Sequence, residues 1–307
     1  MLTASAATLG LAAVGAAGLT YAAGYEVRAF TLREVSVPVL PADADPLRVL
    51  HISDLHMTPR QAKKQAWVRD LAGLRPDLIV NTGDNLAHLE SVPAVVDALG
   101  DLLDVPGVFV FGSNDYFAPV LKNPARYMIP RRRVKPPESA PLPWRDLRDA
   151  FVARGWLDLT NRHDRLKVND LDLAFAGVDD PHLRYDRLAE VAGPAESEAD
   201  LAIAVAHAPY LRVLDAFNRD GYPMIFAGHT HGGQLCLPFI GALVTNCDLD
   251  TRRAKGLHQH QTVGHPPSWM HVSAGLGTSP MAPVRFCCRP EATLVTLTPA
   301  TSLAAGP

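Results

Sequence analysis

Apolar residues fall in short blocks along this chain, and the blocks have two different periods. Residues 48–52 (RVLHI) read as a strand. Residues 77–80 (DLIV) and 107–111 (GVFVF) are mostly continuous apolar runs, as a strand covered on both faces requires. Between them, 60–74 and 92–103 carry helical spacing, with Ala66, Val68 and Leu71 of the first set between basic positions. A proline-rich stretch at 118–143 interrupts this rhythm. Beyond it the pattern predicts a helix over 144–153 and strands over 171–177, 202–206, 224–227, 269–272 and 292–297. Alternation of this kind predicts an α/β fold built on central sheets.

The first 25 residues follow neither period. They contain no charged side chain and consist, after Met1, of Ala, Gly, Leu, Val, Thr, Ser and Tyr. As one helix the segment is about 37 Å long, enough to cover a bilayer core. It therefore reads as an N-terminal hydrophobic helix, a single anchor that makes the protein membrane-associated. The alternative is export, with cleavage near Ala22-Ala23-Gly24, although the segment has neither a basic n-region nor a twin arginine. Arg28 and Arg33 follow it and favour a cytoplasmic catalytic domain, while the side of the membrane stays open.

Composition removes several classes. The balance of 29 Lys+Arg against 32 Asp+Glu argues against a general nucleic-acid binder. An apolar content of 48% with low net charge argues against disorder. Four cysteines without a CxxC pair do not make a disulfide framework.

Candidate chemistry sits where the predicted strands end. Ser53-Asp54-Leu55-His56 follows the first, Asn81-Thr82-Gly83-Asp84-Asn85 the second, and Gly112-Ser113-Asn114-Asp115 the third. Ala206-His207-Ala208-Pro209 and Gly228-His229-Thr230-His231-Gly232-Gly233-Gln234 follow two later ones. In open α/β sheets ligands gather at strand carboxyl ends, so these five loops can converge. Side chains two apart in an extended segment point the same way, which lets Asp54 and His56 grip one ion. The donor set of two Asp, one amide and four His is too rich in imidazole for calcium and suits Mn, Fe, Zn or Co. Seven donors exceed one tetrahedral ion and suit two divalent ions sharing a carboxylate, for which Asp84 is the natural bridge. His51 and His271, inside predicted strands, read as structural. His88, His163, His182, His258, His260 and His265 have no such setting and are left outside the site.

The order DxH, GD, G(S)N(D), H and GHTH resembles the calcineurin-like metallophosphoesterase superfamily. The extended GHTHGGQ run, with Ser273-Ala274-Gly275-Leu276-Gly277-Thr278-Ser279 and Pro283-Val284-Arg285-Phe286, is similar to its bacterial membrane-associated branch of the YkuE and YaeI type. The likeness covers about residues 46–298, the expected catalytic domain, with the insertion at 118–143 inside it. The resemblance implies a four-layer α/β/β/α sandwich of two mixed sheets. It implies that Asp54, His56 and His231 hold one metal, that Asp84 bridges, and that Asn114, His207 and His229 hold the other. The activity implied is a phosphoesterase, and most readily a phosphodiesterase, in which a metal-bound hydroxide attacks phosphorus.

One motif departs from the family pattern. The third loop usually reads Gly-Asn-His, the His protonating the leaving oxygen, and here it is Gly112-Ser113-Asn114-Asp115. Without a gap Ser113 takes the ligand position; shifted by one, Asn114 is the ligand and Asp115 stands where the acid should be. The shift is preferred because an amide oxygen is the better ligand. The expected catalytic residues are therefore Asp84, Asn114 and Asp115, with a preference for good leaving groups. Lys122, Arg126, Arg131, Arg132, Arg133 and Lys135 make the insertion basic: a solvated loop, or a cap for anionic substrates. With a membrane leader, the substrate reading extends to lipid-linked or nucleotide-sugar phosphodiesters. Two other readings stay open, a catalytically weakened metal-binding scaffold and a metal-dependent hydrolase of another ester.

Overall fold

The computed structural model describes residues 15–121 and 139–300. Two mixed six-stranded sheets form its centre. The first contains β1 (Thr31–Leu40), β2 (Leu47–Ile52), β3 (Leu78–Asn81), β4 (Gly107–Phe109), β5 (Leu157–Asp158) and β14 (Glu291–Pro299), in the order β1-β14-β2-β3-β4-β5. The strands from β2 to β5 are parallel, and β14 runs antiparallel to β2. The second contains β6 (Arg162–Val168), β7 (Leu171–Gly177), β8 (Leu201–Ala206), β9 (Met224–Ala227), β12 (Gly256–His260) and β13 (Ser268–Val272), in the order β12-β13-β9-β8-β7-β6. A short hairpin, β10 (Cys236–Leu237) and β11 (Gly241–Ala242), stands apart from both.

Alternation along each strand sorts its side chains into layers. Leu47 and Val49 face Ile203, Val205 and Phe226 in the apolar layer between the sheets. Leu50 and Ile52 of the same strand face outward, into a cluster with Val68, Val95 and Leu99 from the helices Ala62–Asp70 and Ser91–Leu99. On the far side Ala202, Ala204 and Ile225 meet Val213, Leu214 and Phe217 of the helix Leu211–Arg219. Small alanines on that face let the helix lie close to the sheet.

The predicted strands over 171–177 and 224–227 appear at those bounds, and the other buried strands shift by one or two residues. The strands that the pattern did not predict are at or near edges. β1 and β6 each close a sheet on one side, and β12 closes the second sheet on the other. An edge strand needs apolar residues on one face at most. β6 (RHDRLKV) is accordingly charged along most of its length, and β1 tolerates Pro38.

At the amino end, helix over 15–20 passes into a π-helical turn, Tyr21–Tyr25, and a 3-10 turn, Glu26–Arg28. Among the described residues no helix is long and apolar enough to cross a membrane, so the predicted spanning helix is not seen, and residues 1–14 of it lie outside the description. This end of the leader is packed on the domain. Ala22 and Glu26 are buried, and the Glu26 carboxylate accepts the backbone N–H groups of Cys287 and Cys288. The basic residues of the insertion likewise lie outside the described residues.

His51 and His271 meet between the sheets, Nδ1 to Nδ1, at 2.7 Å. Burial holds both below the ordinary imidazole range, His271 at about 3. The unfolded chain takes up protons near pH 6.5, whereas the folded chain takes one on His271 only near 3. Stability from the neutral pair is therefore complete above pH 6.5 and is lost as pH falls towards 3. Calorimetry of metal-stripped protein should show this fall, and His271→Leu should remove about one proton of slope, about 1.4 kcal/mol per pH unit. An unchanged slope would refute the account.

Candidate metal centre

Adjacent parallel strands bring the five loops together. β2, β3 and β4 deliver Asp54, Asp84 and Asn114 at neighbouring carboxyl ends, and β8 and β9 deliver His207, His229 and His231 from the second sheet. Two glycines allow the approach. A Cβ on Gly112 would overlap Asp84 Oδ1 and His207, and one on Gly228 would overlap Ser53 Oγ.

Ligand atoms of Asp54, His56, Asp84 and His231 lie within 4.8 Å of one another. His56 Nε2 and His231 Nε2 face each other at 3.2 Å, with the rings stacked. His231 Nδ1 is 3.1 Å from the Gly277 carbonyl; donating there leaves a lone pair on Nε2. Burial holds both imidazoles below their usual range, His56 at about 4, so both are neutral and each can turn a lone pair to a cation. Asp54 Oδ2 accepts from Ser53 Oγ at 2.5 Å and from the His229 N–H at 3.0 Å. Its Oδ1 is buried without a hydrogen-bond partner, 3.5 Å from His231 Nε2. Burial raises this carboxyl to about 6. Two neutral imidazole nitrogens facing each other and an orphaned carboxylate oxygen form a cradle that a divalent cation fits.

Asp84 stands between this group and the second one. Its Oδ2 is 3.5 Å from His56 Nε2 and 3.5 Å from His207 Nε2. Asn114 donates to it twice, from the backbone to Oδ1 and from the side-chain amide to Oδ2, each at 2.7 Å. Burial alone would raise this carboxyl, but His207, His56 and the Asn114 N–H together hold it well below the usual carboxylate range. His207 Nδ1 lies 2.7 Å from the Thr82 carbonyl, which turns Nε2 inward, 3.3 Å from His229 Nδ1. Burial would lower the His207 imidazole, yet the surrounding Asp84, Asp54 and Asp180 carboxylates raise it well above its normal value. All seven predicted donors thus fall in one cluster arranged around Asp84, five of them buried and Asn114 and His231 half-buried.

Residues 47–233 match the model of the calcineurin-like phosphoesterase family. The chain belongs to that family. Full-length relatives agree. This phosphoesterase is 27% identical to the Bacillus subtilis (strain 168) protein YpbG over 255 residues, covering 82% of this chain and 81% of YpbG. It is 24% identical to the B. subtilis metallophosphoesterase YkuE over 307 residues, covering 93% of each. It is also 24% identical to the phosphodiesterase YaeI of Escherichia coli (strain K12) over 263 residues, covering 83% of each. The protein is a metal-dependent phosphoester hydrolase with a dinuclear divalent site.

Five of the phosphoesterase's seven donors have left-handed backbones: Asp54, His56, Asp84, His229 and His231, with φ from 40° to 68°. Such strain collects at functional sites, where surrounding structure over-determines it. Part of that support is a buried chain of hydrogen bonds. His51 Nε2 meets Thr82 Oγ1 at 3.0 Å, Thr82 donates to Ser53 Oγ at 2.6 Å, and Ser53 donates to Asp54. The two strand histidines are thus structural in a specific sense, since they brace a site carboxylate.

Asp115 does not face the cluster as an available acid. Its Oδ2 accepts the N–H groups of Asp84 and Gly112, at 2.7 and 3.0 Å, and its Oδ1 those of Asn85 and Leu86, at 2.8 and 3.2 Å. Burial, then Asp84, pushes this carboxyl up to about 7, but a proton on either oxygen would displace a backbone bond.

Four neighbours were missed from sequence. The His182 ring lies 4.5 Å from that of His229, and the Tyr210 hydroxyl sits 3.0 Å from His182 Nδ1. Asp180 is fully buried and accepts the His182 N–H. Both follow the carboxyl end of β7, a sixth strand end that the same placement argument would have flagged. Arg285 is completely buried and donates to the carbonyls of Ala274, Gly275 and Gly277, fixing the segment that orients His231.

Proposed function

We propose that this enzyme hydrolyses a phosphodiester, with Asp54, His56 and His231 holding one divalent ion, Asn114, His207 and His229 a second, and Asp84 shared. The observation that carries the reading is the position of Asp84, at equal distance from an imidazole of each group. Two ions held there supply Lewis-acid stabilisation of phosphoryl charge and acidify water near neutral pH. The chain's own part is to present imidazole nitrogens, neutral at His56, His229 and His231 and freed of a proton by the cation at His207. Thr82 and Gly277 carbonyls fix the rotation of His207 and His231, and Asp84 stays ionised across the working pH range. Asp115 acts as a positioning residue, because it holds the turns that carry Asp84 and Asn114. The similarity to a phosphodiesterase from E. coli supports a diester substrate. Membrane association through residues 1–25 belongs to the same proposal and is supported by their lack of charge.

With the third-loop acid missing and Asp115 committed to backbone, leaving groups must depart with little protonic help. General acid catalysis contributes about 10²–10⁴-fold. Metal-stripped full-length protein titrated with Mn²⁺ should therefore hydrolyse bis(p-nitrophenyl) phosphate at least about 10²-fold faster than an alkyl phosphomonoester. Comparable rates on the two substrates would rule out this leaving-group account. Failure of any divalent metal to restore turnover would favour the scaffold reading.

A further inference from the structure

We infer that the hairpin between His231 and Asn246 is a membrane-inserting element that seats the metal centre on a lipid bilayer. The substrate would then be a phosphoester presented at the bilayer surface. This deepens the phosphoesterase reading above and rests on it for the substrate.

The hairpin has the composition of an element that leaves water. Residues 232–247 contain no charged side chain. Leu235, Leu237, Phe239, Ile240 and Leu243 are all exposed, and Phe239 at the tip is entirely so, with Ile240 at 72%. Phe239 is also held at φ 66°, a left-handed backbone that a bulky aromatic rarely adopts. Among the described residues, folding strains Phe239 and leaves it uncovered, an apolar surface open to a partner outside the domain.

The neighbouring chain identifies the cover. Leu235 pairs with Phe286 through a parallel bridge, and the Phe286 ring meets Tyr21 edge to face at 6.2 Å. The N–H of Arg285 donates to the Ala22 carbonyl. The described end of the uncharged leader therefore joins the fold at Tyr21 and Ala22 on the same patch, beside the hairpin. Tyr21 and Tyr25 are exposed there, with Arg289 against the Tyr21 hydroxyl and Arg28 exposed nearby. Tyrosine with arginine beside the root of an apolar hairpin is the composition of the membrane–water interface.

The roots of the hairpin give the arrangement a functional consequence. It starts at His231, whose Nε2 faces His56, and returns at Asn246, whose carbonyl lies 3.3 Å from His229 Nε2. Inserting the tip brings both metal-facing histidines to the headgroup level, where lipid phosphoesters lie.

The test uses full-length protein with one tryptophan added, by Phe239→Trp or, as control, by Val263→Trp at an exposed site in the loop after β12. It is mixed with vesicles of phosphatidylcholine and phosphatidylglycerol whose acyl chains are brominated. An interfacial element reaches ~5–10 Å into the headgroup and acyl boundary, within range of bromine quenching. The Phe239→Trp variant should lose roughly half or more of its added emission, and Val263→Trp almost none. Ile240→Trp serves if Phe239→Trp does not fold. Equal acrylamide access at both sites with no bromolipid quenching would overturn the inference. So would a blue-shifted emission in vesicle-free buffer that reverts on dilution, which would show a second copy covering the hairpin. Quenching needs neither metal nor turnover, so this result and the phosphodiesterase assay fail independently.

Discussion

Asp84→Ala is expected to lower kcat/KM on an aryl phosphodiester by at least ~10³-fold, a loss of about 4 kcal/mol of transition-state stabilisation. Among the described residues Asp84 is the carboxylate set between the two imidazole groups, 3.5 Å from His56 and from His207, and it fixes Asn114 through two hydrogen bonds. Alanine removes the anion that would offset repulsion between two cations and releases the amide that closes the second group. Metal content measured on dialysed protein should drop from two ions to one or fewer. A second consequence concerns protons. Because carboxylates raise the His207 imidazole well above its usual value, the metal-free protein holds a proton there that a cation must displace. Proton release on metal binding should therefore shrink in Asp84→Ala, which also removes the largest of those carboxylate effects. Turnover within tenfold of the parent, at unchanged metal content, would show that Asp84 does not bridge.

The parts of this architecture that show in the sequence are those in which one local feature suffices. Buried parallel strands appear as apolar runs such as 78–80 and 203–205, and their loops carry short motifs directly after them. That was enough to single out the seven residues that the structure brings together around Asp84. Edge strands were harder: β6 has only Val168 fully buried, so its sequence does not differ from that of a loop. The left-handed backbones at Asp54, His56, Asp84, His229 and His231 were invisible for a different reason. None is glycine, and the strain is imposed by contacts from other loops. Long-range support was hidden in the same way. Nothing in the sequence ties Arg285 to His231, which are 54 positions apart and meet both directly, Arg285 Nη1 donating to the His231 carbonyl, and through the Gly277 carbonyl. His182 was a different case, since the strand-end argument applied to β7 as well and was not extended to it.

Asp115→Asn separates the two roles open to this residue. As a positioning group, its carboxylate takes four backbone N–H donors, two on each oxygen. Asparagine keeps one oxygen and turns an NH₂ towards the other pair, so two N–H groups in a dry interior lose their acceptor and face a donor instead. Each unsatisfied buried group costs about 1–3 kcal/mol, so the substitution should destabilise the metal-free protein by about 2–6 kcal/mol. Urea unfolding should show this as a lower midpoint with an unchanged slope. Activity should fall on aryl and alkyl substrates alike, because the turns carrying Asp84 and Asn114 shift together. A general acid predicts the reverse. Stability would then be nearly untouched, and the loss would be concentrated on alkyl leaving groups, which need a proton most. Finding that second pattern would return Asp115 to the acid role that its place in the motif suggests and would force a different account of its four backbone bonds.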